Sequence, residues 1–238
     1  MKTIKTLAVV AGMLLVCPKL WAALYNFDVS SSTISPNPYP TTLQDGNPNG
    51  ATFTETVSGS AVTAISDITV GLNISGDFNG DVYAYLTHNG SPVSILLNRV
   101  GRVSGNLDGS SDTGFNVFLN DSASPNIHDA SAGGGVLAGT FAPDGRNFNP
   151  ATVLGSVNPT TTLLGTFGGM NANGTWSLFL ADMVSGGDIT LNSWSLDVEL
   201  SGVPEPTNVA LAVFALLLVG AKGASWWMDK RSLAKARY

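Results

Sequence analysis

The stretch "NGTWSLFLADMVSGGDITLNSWSLDVEL", residues 173–200, contains the pattern that decides the fold. Trp176, Leu178 and Leu180 recur at every second position, which is the period of a strand with one buried face. After a glycine-containing turn the apolar residues stand at 189 and 191, and then at even positions from Trp194 to Leu200. A β-bulge shifts the buried face by one residue, so we predict a bulge near Asn192 and Ser193. Trp176 and Trp194 each stand in phase with an apolar face, which predicts that both indoles lie in the core.

The rest of the chain has the same character. Ile68 to Ile74 alternates with polar or small residues, and shorter alternating runs follow. Glycine occurs 27 times, only 12% of the residues are charged, and Asn-Gly or Asp-Gly pairs separate the runs. No stretch of the body between the two termini keeps a 3.6-residue period. Many short strands with such turns predict an all-β protein, a jelly-roll-like antiparallel β-sandwich. The only cysteine, Cys17, excludes an internal disulfide.

Charge is distributed unevenly along the chain. Between Ala23 and Val203 there are three arginines, no lysine and fifteen Asp and Glu residues, a formal net charge of −12. A body this acidic repels phosphate backbones, so we expect no nucleic-acid partner. The acidic groups would suit a divalent cation such as calcium, or they keep an exported protein soluble.

The N-terminus has the layout of a secretory signal peptide. Lys2 and Lys5 precede an apolar run, 7–16, which ends before the small residues Ala22 and Ala23. We expect residues 1–22 to direct export through the Sec machinery, with cleavage just after Ala22 or Ala23. Residues 23–60 are polar and proline-containing, which predicts a loosely structured segment with one strand at 52–57.

The C-terminus carries a second apolar run. Residues 209–221 are uncharged, and a helix over about 207–228 would be long enough to cross a bilayer, with a basic tail on the cytoplasmic side. Pro204 and Pro206 keep the preceding peptide extended, as a processing enzyme requires of its substrate. Val203, Pro204, Glu205 and Pro206, followed by the apolar run and the basic cluster, resemble the PEP-CTERM sorting signal of Gram-negative bacteria. The resemblance implies that residues 203–238 are handled at the inner membrane by an exosortase; the alternative is a permanent single-pass anchor.

The body resembles a second family, the P domain (P/Homo B domain) of proprotein convertases. The closing Gly-Thr-Trp and Leu-Asn-Ser-Trp-Ser-Leu strands, read as a hairpin, are the strongest part of the match, and it extends over 61–201. Four earlier pieces match in the family's order: "GDVYAYLTHNGSPVSILLNR" (80–99), "TGFNVFLNDSA" (113–123), "GTFAPDG" (139–145) and "LLGTFGG" (163–169). The resemblance implies a jelly-roll β-sandwich of a kind that accompanies and stabilises a subtilisin-like serine protease.

Neither histidine is in a catalytic context. His88 lies in the predicted solvated turn "THNGS" and His128 in the loop "SPNIHDASAGGG". A serine-protease triad needs a base beside a nucleophile and an orienting acid, and no Ser is surrounded by a subtilisin-type motif. We therefore predict a protein that is not an enzyme. No cluster of exposed aromatic or charged residues marks a ligand site in the sequence.

The P-domain resemblance also implies calcium as a candidate cofactor. Asp81, Asp121 and Asp182 occupy the family's repeated acidic positions, at predicted strand ends, and would supply hard oxygen ligands. The alternative is that these side chains accept backbone hydrogen bonds at turns.

Together these features predict an exported, non-catalytic protein, anchored briefly at the membrane and then located in the cell envelope or outside the cell. The alternative is a binding module for an exopolysaccharide or a surface protein, such as an accessory stabiliser of a separate subtilisin-like protease.

Overall fold

The computed structural model describes residues 27–29, 40–58, 64–152 and 161–201, with 214 and 216–217. Internal contacts group Ala23–Ser201 into one compact unit. The predicted signal peptide, the Val203–Pro206 motif and nearly all of the predicted membrane span lie outside the described residues. Among those described, no helix is both long and apolar enough to span a bilayer.

The regular secondary structure described in the Ala23–Ser201 unit is mostly β-strand. The described strands are β1 (Phe27–Val29), β2 (Thr41–Thr42), β3 (Ala51–Val57), β4 (Ala64–Ser75), β5 (Val82–His88), β6 (Val93–Asn98), β7 (Gly114–Leu119), β8 (Leu137–Phe141), β9 (Gly174–Asp182) and β10 (Thr190–Ser201). Two 3-10 turns, Asn79–Asp81 and Ile127–Asp129, and one short helix, α1 (Leu163–Phe167), connect them.

The strands form two sheets that share one core. Sheet A has the order β1-β10-β4-β7-β8, with β2 also paired to β10, and sheet B has the order β3-β9-β5-β6. The buried apolar residues of both sheets make one cluster. The predicted β-sandwich is therefore confirmed.

Two details of pairing differ from the sequence expectation. The pair β7–β8 is parallel, with Phe115 opposite Leu137, whereas the other pairs described are antiparallel. Residues 120–136 separate the two strands, which is long enough for the return that a parallel pair requires. The two strands of the 173–200 stretch do not form the expected hairpin, because β9 pairs with β3 and β5 while β10 pairs with β4 and β1. The turn between them carries the chain from one sheet to the other.

The described part of the N-terminal segment contains three strands, where the sequence predicted one strand at 52–57. In the range 23–60, β1 and β2 pair with β10, and β3 pairs with β9 along its whole length. Leu43 and Phe53 are buried. The sandwich therefore extends beyond the predicted limits of 61–201.

The predicted bulge in β10 is confirmed. Its register against β4 shifts between Leu191 and Ser193. As a result Leu191 and Trp194 both face the core, although one has an odd and the other an even number. A second shift, between Glu199 and Leu200, falls on β4, where Ser66 is left without a partner in the register.

Both tryptophans lie in the core, as the phase of their strands predicts. Trp176 is 0% exposed and Trp194 is 3% exposed. Nε1 of Trp176 donates to the carbonyl oxygen of Ala172 at 3.0 Å, and the ring of Phe167 in α1 packs edge-on against it with centroids 5.1 Å apart. The helix thus closes one end of the space between the sheets.

The glycines of the Asn-Gly and Asp-Gly pairs have the positive φ that their turns require, except Gly80. In the β5–β6 hairpin Asn89 and Gly90 both have positive φ, 51° and 81°, as a tight two-residue turn requires. Gly80 instead lies in a buried 3-10 turn. A Cβ at Gly80 would overlap the carbonyl oxygen of Asp108, so this glycine is needed for close approach of two backbone segments.

Candidate functional site

His88 does not lie in a solvated turn, which corrects the sequence prediction. It is the last residue of β5 and only 4% exposed. Its ring is stacked on the indole of Trp176, with centroids 4.3 Å apart and planes 20° apart, and Nε2 is 3.2 Å from the carbonyl oxygen of Asn173. Burial lowers the pKa of His88, although the Asn173 carbonyl acts in the opposite direction. The side chain is part of the core rather than a solvent-facing base.

His128 lies in a buried polar cluster that the sequence did not indicate. Its Nδ1 is 2.7 Å from Oδ2 of Asp144, and its Nε2 is 3.2 Å from the carbonyl oxygen of Arg102. The same aspartate accepts from Arg146 Nη1 at 3.1 Å and from the backbone N–H of Asn98 at 3.1 Å. Both ring nitrogens of His128 therefore face oxygen acceptors. A general base needs a free ring nitrogen directed at a nucleophile, and His128 has none. Its hydrogen bonds and those of Asp144 instead hold three loops and the end of β6 together.

The three candidate calcium ligands are not all in one place. Asp121 follows the end of β7, and its Oδ1 accepts the backbone N–H of Leu163 at 2.8 Å, at the start of α1. Asp81 and Asp182 lie near the other end of β7, since Asn79, two residues before Asp81, is hydrogen-bonded to the backbone of Gly114, where β7 begins. No group of three or more His, Cys, Asp or Glu suited to a metal ion occurs in the described ranges.

Asp81 and Asp182 lie next to each other at one end of the paired strands β5 and β9. Val82 is opposite Asp182 in the register, and the backbone N–H of Met183 donates to the carbonyl oxygen of Asp81. Asp81 already faces a cation, because Nη2 of Arg99 is 3.5 Å from its Oδ1. A calcium ion bound here would lie close to that guanidinium, so the residues present fit an ion pair better than a metal centre.

Asp182 is the most perturbed acid in the described part of the chain. Its side chain is completely buried, and its Oδ1 accepts the backbone N–H of Val184 at 3.2 Å. Burial raises its pKa from 3.8 to about 6, the charges of Asp81 and Asp45 add to this effect, and hydrogen bonds from the backbone N–H groups of Val184 and Gly46 oppose part of it. Ionisation of the Asp182 carboxyl at neutral pH therefore destabilises the folded state.

A shallow cavity of about 440 Å³ opens between the loops near the start of β7, with His128 in its wall. Two carboxylates, Asp112 and Asp129, line it. Asp112 is fully engaged, since Oδ2 accepts from the N–H of Ala132 at 2.7 Å and Oδ1 from the N–H of Gly134 at 2.6 Å, and Asp129 faces Arg146 at 3.7 Å. Burial alone would raise the pKa of Asp112, but these hydrogen bonds outweigh it and hold the pKa below its usual value. The acid therefore folds the loop rather than presenting charge to a ligand.

The outer face of sheet B carries a cluster of partly buried aromatic rings, which the sequence analysis did not identify. Tyr83 and Tyr85 alternate with the buried residues of β5 and are only partly buried, as is Phe179 of β9. The rings of Tyr85 and Phe179 are stacked, with centroids 4.6 Å apart and planes 12° apart. Tyr83 packs edge-on at 5.9 Å from Tyr85 and 6.2 Å from Phe179. We call these three residues the aromatic face.

One part of this cluster was visible in the sequence. In "VYAYL" the two tyrosines alternate with the apolar residues Val82, Ala84 and Leu86, which places the tyrosines on the outer face of the strand. Phe179 is almost a hundred positions away, and only the register Tyr85↔Phe179 brings it to the same place.

No protein-family model matches the chain, and no curated protein matches it. Among solved structures, the chain is similar to that of the Aeromonas sobria serine protease (ASP) with its chaperone ORF2, with 14% identity, a TM-score of 0.37 and coverage of 71% of this chain and 26% of that chain. For the serine protease of Aeromonas sobria the values are 14%, 0.35, 70% and 26%. The chain spans about a quarter of the length of these structures, and a likeness of this degree assigns neither a family nor a function. What the fold defines is a class, a mostly-β protein of two packed sheets.

Proposed function

We propose that this chain is an exported, non-catalytic β-sandwich module that acts at the cell surface or in the extracellular matrix of a Gram-negative bacterium. The observation that carries the proposal is the division of the chain. The compact unit begins at Ala23 and ends at Ser201, beside the predicted signal cleavage site and just before Val203-Pro204-Glu205-Pro206. A folded body with a separate apolar segment at each end is what export followed by C-terminal sorting requires.

The P-domain resemblance and the PEP-CTERM signal remain parts of this proposal. The Sec machinery exports the chain, residues 203–238 hold it at the inner membrane, and an exosortase releases it. Pro204 and Pro206 keep the processing site extended. The strongly acidic body, with a formal net charge of −12 between Ala23 and Val203, suits a secreted protein that must stay soluble.

The non-catalytic part of the proposal is supported by the two histidines. His88 is stacked on Trp176, and His128 is bonded to Asp144 and to the Arg102 carbonyl. Both rings serve the folded structure. Turnover of convertase-type peptide substrates by the purified chain, abolished by His88→Ala, would contradict this part.

Export and processing can be tested in an exosortase-containing Gram-negative host. A short epitope inserted between Gly133 and Gly134, where both residues are exposed, allows the chain to be followed. We expect a mature N-terminus at Ala23 or Leu24 and release from the membrane fraction, with release lost in an exosortase deletion and reduced in a Pro204→Ala, Pro206→Ala double variant. An uncut chain in the cytosol would refute the proposal. Retention of a full-length C-terminus in the inner membrane of the wild-type host would replace the release step with a permanent anchor.

A further inference from the structure

The aromatic face lies on a surface without charged side chains. Outward positions of β3, β5 and β9 alternate with core residues. Besides the three rings they carry the hydroxyl groups of Thr52, Thr54, Thr56, Thr175 and Ser177, whereas two further outward residues, Thr87 and Ala181, are buried. Thr52 lies opposite Phe179 in the register and is exposed. The surface thus combines stacked rings with a row of neutral hydrogen-bonding groups.

Sheet A shows that this composition is not a general property of the molecule's surface. The outward positions of its central strands are mostly polar or acidic, including Asn73, Asn116, Ser195 and Glu199. Its one large exposed apolar residue on these strands is Phe118, 52% exposed, which lies against Gly71. A single exposed ring is ordinary on a protein surface, whereas a cluster of touching rings is typical of an interaction site.

Sheet stability alone does not require this cluster. One cross-strand aromatic pair is enough to stabilise two neighbouring strands, and the pair Tyr85–Phe179 supplies it. Tyr83 adds a third ring with its own phenol. Burial raises the pKa of Tyr83, so this phenol stays an uncharged hydrogen-bond donor and acceptor at physiological pH.

We propose that the aromatic face, with the hydroxyl groups of Thr52, Thr54 and Ser177 beside it, binds a neutral polysaccharide. Sugar rings present apolar C–H faces that pack on aromatic side chains, and their hydroxyl groups bond to Thr, Ser and Tyr. Specific ligand sites have this combination of aromatic walls and a few polar groups. The net charge of the body favours a neutral polymer over an anionic one. At −12 the body repels uronic-acid polymers and nucleic acids. This inference rests on the proposed function in one respect, which is that the chain must be exported to reach extracellular polysaccharide.

The test is affinity electrophoresis of the full chain in detergent through native gels. The gels contain a neutral polymer (hydroxyethyl cellulose, xyloglucan, galactomannan or dextran) or an anionic one (alginate or polygalacturonate). We expect retardation by at least one neutral polymer and by neither anionic one. Tyr85→Ala and Phe179→Ala should each weaken binding at least tenfold. Phe118→Ala, which removes an exposed ring from the outer face of sheet A, should leave it unchanged.

Two further variants separate binding from folding. Thr52→Arg places a long charged side chain opposite Phe179 and removes no ring, so it should weaken binding while thermal unfolding stays as in the wild type. Tyr85→Phe keeps the ring and should retain most of the affinity. The inference is wrong if no neutral polymer retards the wild type, if binding survives both alanine variants, or if only anionic polymers or a protein partner bind. These results leave the export experiment unaffected, and a failure of export would not change the gel result.

Discussion

Nδ1 of His128 lies 2.7 Å from Oδ2 of Asp144, and both side chains are almost completely excluded from solvent. Arg146 Nη1 lies 3.1 Å from the other oxygen of the same carboxylate. A single aspartate therefore binds two side chains in the interior, the imidazole of His128 and the guanidinium of Arg146. The pair has the appearance of a catalytic base with its orienting acid, but the remaining ring nitrogen of His128 faces a backbone carbonyl.

We predict that Asp144→Asn strongly destabilises the protein, because it leaves a buried guanidinium without its carboxylate. Removal of one partner from a buried pair costs about 3–5 kcal/mol. Asp129→Asn is the matched control, since its carboxylate also faces Arg146, at 3.7 Å, but its side chain is 63% exposed. Exposed pairs contribute about 0–1 kcal/mol. Urea unfolding of both variants measures the difference, and equal losses would show that Asp144 has no special role.

The two core tryptophans should respond differently to replacement by phenylalanine. Trp176→Phe removes the bond from Nε1 to Ala172 and leaves that carbonyl unpaired. Nε1 of Trp194 is buried and has no hydrogen-bond partner within the described part of the chain, so Trp194→Phe removes a group that was desolvated without compensation. An unmade buried hydrogen bond costs about 1–3 kcal/mol, so we expect Trp176→Phe to be the more destabilising by about that amount in chemical denaturation. The reverse order would contradict the assigned hydrogen bonds.

Asp182 should make the protein less stable as the pH rises. Its pKa is about 6 in the folded state, against an ordinary value of 3.8, so the folded state binds the proton more tightly than the unfolded state. The cost of ionisation is absent below pH 4, develops between about pH 4 and 6, and is fully present above. At about 1.4 kcal/mol for each pKa unit it is on the order of 3 kcal/mol.

Asp182→Asn tests this assignment. The amide keeps an acceptor for the N–H of Val184 and carries no charge, so the variant should be more stable than the wild type at pH 7 and similar to it at pH 4. The quantity to measure is the difference in free energy of unfolding between variant and wild type across this range, which cancels the other acids. Asp188→Asn, on the exposed turn before β10, serves as the control. A difference that does not change with pH would rule out Asp182 as the source.

Gly80 should not tolerate a side chain. A Cβ there would overlap the Asp108 carbonyl oxygen and lie 2.8 Å from the backbone nitrogen of Ser110. Overpacking of this kind costs about 1–3 kcal/mol, so Gly80→Ala should lower Tm clearly. Gly105→Ala, at an exposed position where nothing lies within 4 Å of the added Cβ, should change the free energy of unfolding by less than about 0.5 kcal/mol. A similar Tm for both variants would mean that the 79–81 turn can move away.

Several features could be read from the chain because they depend on local periodicity. Alternation placed Trp176 and Trp194 in the core, and the change of parity after Leu191 located the bulge. The Asn89-Gly90 turn followed from the need for positive φ. The exposure of His88 was predicted wrongly, because a turn signal beside it suggested solvent, whereas β5 continues through His88 onto the indole of Trp176.

The sequence by itself determined that this protein is a β-sandwich and which face of the alternating strands, such as β4 and β9, is buried, because side chains alternate with a period of two whatever the partner strand is. Only the tertiary structure decided that β9 and β10 lie in different sheets, that β7 and β8 run parallel, and that Tyr85 meets Phe179 and His128 meets Asp144. Strand pairing and register depend on the summed packing of the whole core, and no local pattern encodes that sum.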